Sequence, residues 1–365
     1  MNTTSGTSAA ADAPHPATVP PGPWLWPPPP RRSRLLTWIG WIGFLVCGTL
    51  LLSQQSARRD YLDVTRGIRE RFHSGATTGQ DKVAVISVRG IIMEGDGFVK
   101  RQIDRVRQDP RVKAVVGRID TPGGTVTGSD YIYHHLKKLR EERNIPLVMS
   151  MGSIAASGGY YIAMAVGDQE KSIFAEQTTT TGSIGVIVPH YDLSGLLARY
   201  DVRDDSVSSH PRKQLLSMTR TMSEEDRALI QAYVDESFRH FKDIVKAGRP
   251  QLRQTNPDDS LLDPTQERDL ATGEIFTASQ ARTFGLIDEI GFIEDAIERA
   301  VELAGLDRRT VRVVQYQRPL SLGNLVGMAD ASSGDVSLEA LWELSTPRAY
   351  YLATTWPPLI SSRPE

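Results

Sequence analysis

Two short glycine-rich turns carry the residue types that acyl transfer needs: Thr121-Pro122-Gly123-Gly124 and Ala156-Ser157-Gly158-Gly159. Glycine lets backbone approach a ligand closely and leaves amide donors free. Neither turn matches G-x-x-x-x-G-K-S/T or G-x-G-x-x-G, so nucleotide binding has little support. Ser157 stands where a strand meets a helix, with the Gly158 amide at the helix start, so a hydroxyl lies beside an oxyanion donor. Taken alone, a serine in a Gly/Ala run is more often a packing residue. The surroundings are not G-x-S-x-G, so an α/β-hydrolase elbow is not supported.

A serine nucleophile needs a base. None of the seven histidines (His15, His73, His134, His135, His190, His210, His240) has a context that marks a triad member. A lysine can serve where burial disfavours its charged form. Lys213, in Ser-His-Pro-Arg-Lys-Gln-Leu-Leu-Ser, is the candidate, although such a lysine is ordinarily a surface residue.

These residues need a scaffold, and the pattern around them alternates strand and helix. Val83–Val88, Val112–Ile119 and Pro146–Met151 are β-branched or apolar runs that read as buried strands. Lys171–Phe174 and Gly185–Val188 are further strand candidates. Helices are expected over Val99–Gln108, Ser129–Arg143 and Gly158–Val166, then from the Ser223-Glu224-Glu225-Asp226 capping box to Lys246. Thr277 opens another helix, ended by Gly285, and Ile293–Gly305 is the last. Such alternation implies an α/β fold with a parallel sheet and right-handed crossovers.

The N-terminal part is different. Residues 1–34 hold nine of the 22 prolines and are expected to form a solvated tail. Residues 35–53 (LLTWIGWIGFLVCGTLLLS) carry no charge, which is just long enough for a single transmembrane helix. Arginines flank both ends, so charge decides the orientation poorly. A short N-terminal tail staying inside and a large domain translocating is the expected topology. Residues 54–81 read as a juxtamembrane helix and linker.

Composition narrows the classes further. The chain has 365 residues with Lys+Arg 42 against Asp+Glu 44, a net charge of −2, so no bulk charge calls for nucleic acid. One cysteine, Cys47, lies inside the apolar segment, which excludes an internal disulfide framework and a cysteine-based zinc site. No cofactor or metal motif is present.

Several separated motifs, in order, resemble the bacterial signal peptide peptidase A family. SMGSIAASGGYYIA (Ser150–Ala163) is similar to its nucleophile segment and RIDTPGG (Arg118–Gly124) to its oxyanion turn. TTTTGSIGVI (Thr178–Ile187), KQLLSMTRTMSEED (Lys213–Asp226) and the stretch Thr272–Leu306 resemble its later blocks. Thr121 replaces the serine usual in the oxyanion turn. The resemblance implies a crotonase/Clp-type α/β fold over residues 82–306, with residues 307–365 as an extension of unassigned role. It implies Ser157 as nucleophile, Lys213 as general base held in a mostly apolar site of the same protomer, Ser183 orienting the lysine, and Gly124 and Gly158 amides as oxyanion hole. No cofactor is implied. The implied partners are hydrophobic peptides such as remnant signal peptides, the lipid membrane through residues 35–53, and further copies in a ring-shaped homo-oligomer. The implied location is the bacterial inner membrane, single-pass, with the N-terminus cytoplasmic and the catalytic part periplasmic. Two other functions could use the same fold: a catalytically silent membrane scaffold, or a crotonase-type acyl-CoA enzyme.

Overall fold

The computed structural model describes residues 34–62, 68–253, 259–265, 267–317 and 350–352. The expectations for the proline-rich tail, and for most of the extension beyond residue 317, lie outside these residues. The chain divides into two units at Arg59/Asp60. The described part of the first belongs to helix α1 (Arg34–Leu62), in which Trp38–Gln55 is long and apolar enough to cross a membrane. Its large apolar side chains, among them Trp38, Trp41, Phe44 and Leu50, are exposed.

The second unit is built on a sheet. Among the described residues its central strands run β1 (Arg69–Gly75), β10 (Arg312–Gln317), β2 (Lys82–Arg89), β3 (Val112–Thr121), β5 (Leu147–Ala156), β6 (Ile173–Ala175), β9 (Glu289–Ile290). Every pair from β10 to β9 is parallel, and only the edge strand β1 is antiparallel to its neighbour. A parallel sheet must be covered on both faces, and the alternation of side chains along the strands sorts two cores. Val83, Val85, Ala114, Val116 and Val148 face α8 (Ile293–Leu303) through its Ala296, Ile297, Ala300 and Val301. Ala84, Ile86, Val115, Leu147 and Met149 face the opposite side, with Ile103 of α2 (Phe98–Gln108), and Leu136 and Leu139 of α3 (Val126–Arg143).

Most expected elements are present within a few residues of their expected ends. The α helix expected over Gly158–Val166 is α4 (Gly158–Ala163) continued by a 3-10 turn. The helix opened by Ser223 is α6 (Glu224–Gly248), and Ser223 accepts the Asp226 amide as its N-cap. Three readings change. Gly185–Val188 is not a strand: the strand there is β7 (Thr180–Gly182), which pairs with the end of β5 and with β8 (Ile275–Thr277), and Ile187 makes only an isolated bridge. Residues 69–75, expected as linker, form β1. Residues 312–317, placed in the extension, form β10 inside the sheet. Beyond β10 the three-residue β11 (Tyr350–Leu352) pairs with β4 (Gly123–Thr125).

The carboxyl ends of β3 and β5 lie side by side, Thr121 opposite Ala155. Parallel sheets place their ligands at this end, and here both glycine-rich turns emerge.

Candidate active site

β5 ends at Ala156, and the chain turns sharply into α4. Ser157 sits on that turn with φ 53° and ψ −112°, a left-handed conformation that costs a non-glycine residue on the order of 1–3 kcal/mol. Neighbours hold it there. Its amide donates to the Gly182 carbonyl at 2.7 Å, and its carbonyl accepts the Tyr161 amide at 2.9 Å. The side chain is buried, 1 % exposed, and Oγ has no hydrogen-bond partner among the described residues. A buried hydroxyl without a partner is costly.

The glycines after the serine are required by space. A Cβ on Gly158 would lie 2.3 Å from Ser129 Oγ and 3.3 Å from the Gly124 amide nitrogen. On Gly159 it would meet Thr121 Cγ2 at 2.8 Å. The two glycine-rich turns therefore touch, and the Gly124 and Gly158 backbones come together beside Ser157. The first turn is braced from several sides. The Thr121 hydroxyl donates to the Gly90 carbonyl and accepts the Gly123 amide at 3.1 Å. The Gly123 carbonyl accepts the Ile92 amide at 2.9 Å, and the Thr125 amide donates back to Ile92 at 2.7 Å. Thr125 also caps α3. Asp120 accepts from Ser153 Oγ at 2.6 Å, joining β3 to β5 below the turn.

Ser183 follows directly on Gly182, whose carbonyl holds Ser157, so the two serines occupy the ends of adjacent strands. It too has a left-handed φ of 52° and is buried, with its amide donating to Glu274 at 2.6 Å.

Lys213 is placed otherwise. It lies on an exposed 3-10 turn (Pro211–Gln214), and no hydrogen bond or ion pair of its ammonium is seen among the described residues. The expectation of an apolar site around Lys213 is thus corrected for the single chain. The reason lies in the segment that carries it: residues 188–222 run over the surface and expose Tyr191, Leu193, Leu196, Tyr200, Val202 and Met218. Ser157, Gly158, Gly124 and Ser183 converge, and Ser157 Oγ and the Lys213 amine are not hydrogen-bonded.

Other residues that shape the site were not singled out from sequence. Ser129, Asp130 and Tyr161 are among them: Ser129 Oγ bonds the Thr125 carbonyl at 2.9 Å, and the Tyr161 hydroxyl donates to Asp130 at 2.7 Å. The adjacent Tyr160-Tyr161 pair after Gly-Gly was the available signal, since two full-size aromatics in a small-residue run need a pocket each.

An α/β unit that presents a buried, unpartnered serine on a strained strand-to-helix turn, against two glycine backbones, is a framework for serine hydrolase chemistry. Residues 139–307 match the model of peptidase family S49. The chain is 37 % identical over 246 residues to a Synechocystis sp. protein named as a protease, covering 67 % of this chain and 83 % of that one. It is 32 % identical over 260 residues to an Enterococcus faecium protein named as signal peptide peptidase SppA, covering 68 % and 70 %. Protease 4 of Salmonella typhi is 33 % identical over 232 residues, which are 61 % of this chain and 35 % of that one. The chain belongs to peptidase family S49 and is a serine peptidase.

Proposed function

We propose that the protein is a membrane-anchored endopeptidase that cleaves hydrophobic peptides, remnant signal peptides among them, with Ser157 as nucleophile and Lys213 as general base. The observation that carries this is the strained, buried Ser157, whose hydroxyl has no hydrogen-bond partner among the described residues, next to the contact between the Gly124 and Gly158 backbones. The Ser157 proton passes to the neutral Lys213 amine as Oγ bonds the peptide carbonyl carbon. The oxyanion takes hydrogen bonds from the Gly124 and Gly158 amides. The leaving amine then accepts the proton from lysine, and water hydrolyses the acyl-serine by the same route. Each oxyanion donor contributes about 3 kcal/mol to lowering the barrier. Ser183, beside the nucleophile, orients the lysine.

Completion of this dyad belongs to the assembled protein. The Lys213 segment exposes an apolar surface that a homo-oligomer would cover, bringing the Lys213 amine against Ser157 and removing it from water. Helix α1 anchors the chain through Trp38–Gln55, single-pass, in a bacterial inner membrane with the N-terminus cytoplasmic and the catalytic unit periplasmic. The test is cleavage of a fluorogenic apolar peptide by the detergent-solubilised full chain. Ser157→Ala and Lys213→Ala should each abolish turnover, and wild-type rates in both would refute the dyad.

A further inference from the structure

The strand that leads to Ser157 is irregular just ahead of it. On β3, Ile119 and Thr121 are two residues apart, but their partners on β5, Met151 and Ala155, are four apart. β5 therefore carries two extra residues within the stretch Gly152–Ile154. On its other side β5 changes neighbour at the same place: Met149–Met151 pair with β6, and Ile154–Ala156 with β7. Among the described residues, Gly152 and Ser153 have no strand partner on either side. A bulge of this kind leaves backbone groups unpaired, and beside active sites it re-aims a side chain.

Side chains from both flanks supply the missing bonds. Asp120 Oδ1 accepts the Ser153 hydroxyl at 2.6 Å and the Ile154 amide at 3.3 Å. Buried Thr179, one residue ahead of β7, donates its hydroxyl to the Gly152 carbonyl at 2.6 Å. Just before the bulge, Arg118 donates to Ser150 Oγ at 2.9 Å and pairs with Glu176 at 2.5 Å. A Cβ on Gly152 would stand 3.1 Å from Asp120 Cγ and 3.2 Å from the Arg118 guanidinium, so glycine lets the bulge close against both.

The bulge decides how far β5 reaches. A strand residue advances the chain by about 3.3 Å, so two extra residues store about 7 Å of chain. Catalysis is sensitive to a misplacement of about 1 Å. A bulge that yields even a fraction of its stored length would carry Ser157 away from the contact between the Gly124 and Gly158 backbones. Asp120 adjoins both sides of that contact. It directly precedes the Thr121–Gly124 turn in the chain, and its carboxylate holds the stretch that leads to Ser157.

We propose that Asp120 is a positioning residue, which holds the Gly152–Ile154 bulge with one carboxylate oxygen and so sets Ser157 against the oxyanion turn. Thr179 braces the same bulge from the β7 side. The part that Ser157 plays rests on the peptidase mechanism proposed above; the brace on the bulge rests on these bonds alone.

The test uses the full chain in detergent. Both bonds to Asp120 go to one oxygen, so asparagine keeps an acceptor for each. Asp120→Asn should hold kcat within about threefold of wild type. Asp120→Ala should lower kcat about 30-fold with KM changed by less than about twofold. Thr179→Val keeps the shape and loses the donor, and should lower kcat about tenfold. Fluorophosphonate labelling of Ser157, which needs no peptide binding, should slow in the same order. Hydrogen exchange over residues 152–158 should quicken in Asp120→Ala and Thr179→Val and stay unchanged in Asp120→Asn.

Wild-type kcat in Asp120→Ala, a loss in Asp120→Asn as large as in Asp120→Ala, or a change confined to KM overturns the proposal. Should Asp120→Ala unfold, Ser153→Ala removes only the shorter bond and should lower kcat about fivefold. A wild-type kcat in that variant overturns the proposal as well. Exchange reads the brace without turnover, which separates the two ideas. Faster exchange in Asp120→Ala together with an active Ser157→Ala sinks the nucleophile and keeps the brace. Unchanged exchange and labelling in Asp120→Ala, with Ser157→Ala inactive, sinks the brace alone.

Discussion

The Ser157 amide donates to the carbonyl of Gly182 at 2.7 Å, tying the end of β5 to the end of β7. That bond, with the Tyr161 amide on the Ser157 carbonyl, holds a residue with a side chain at φ 53°. Glycine adopts this conformation without the steric cost that any Cβ carries. Ser157→Gly should therefore be more stable than Ser157→Ala by about 1 kcal/mol, and the proposed mechanism predicts that both lose activity. Thermal or urea unfolding of the two variants checks this, and equal stability would show that the turn stores no strain.

A Cβ on Gly124 would lie 1.9 Å from the Ile92 carbonyl oxygen, a backbone atom that also accepts the Thr125 amide. No rotamer change relieves that contact, so Gly124→Ala must move the turn. Losing alignment of one oxyanion donor should lower kcat by roughly 100-fold or more. KM should change far less, and circular dichroism should show the fold retained. An unchanged kcat would remove Gly124 from the oxyanion hole.

Under the proposed mechanism Lys213 takes the Ser157 proton, a role that a guanidinium cannot fill because arginine stays charged. Activity should therefore disappear in Lys213→Arg. The kcat/KM of wild type and variant reads this directly. An active arginine variant would exclude lysine as the base.

Far from the site, buried Lys82 bridges Glu70 at 2.6 Å and Asp109 at 2.9 Å, and Asp109 also holds Arg111 at 3.0 Å. Burial acts to raise the Asp109 carboxyl, but the hydrogen bonds from Arg111 and Lys82 outweigh it and hold it well below the usual carboxylate range. A depressed folded value means stability that is present above about pH 4, the unfolded value, and lost as pH falls through the folded one. Asp109→Asn should cost roughly 2 kcal/mol at neutral pH, since Glu70 still partly compensates Lys82. Its unfolding free energy should also fall less steeply than wild type below pH 4. Parallel acid slopes would mean that Asp109 contributes nothing through its charge.

How far the sequence was legible follows from where each residue gets its information. β2, β3, β5 and helices α2, α3, α6 and α8 are buried on a face or on both, so their local patterns match the fold. The glycine turns were legible because close backbone packing admits no side chain at Gly124, Gly158 or Gly159. β1 (RERFHSG) was not, since an edge strand half-open to water has no apolar run. β7 escaped because its Thr180-Thr181-Gly182 is defined by pairing with β5 and β8 rather than by hydropathy. Tyr351 is buried by residues far away in sequence, which no local pattern reports. Lys213 shows the reverse case: motif order singled it out, while its exposed place in the single chain depends on what covers its segment.

The most direct measurement is the site and stoichiometry of covalent capture by an alkyl fluorophosphonate in the full-length protein, read by intact mass and peptide mapping. One adduct per active chain is predicted, on Ser157, absent in Ser157→Ala and slowed in Lys213→Ala. Adduct on a different serine, or peptide hydrolysis that persists without any adduct on Ser157, would contradict the assignment of the nucleophile.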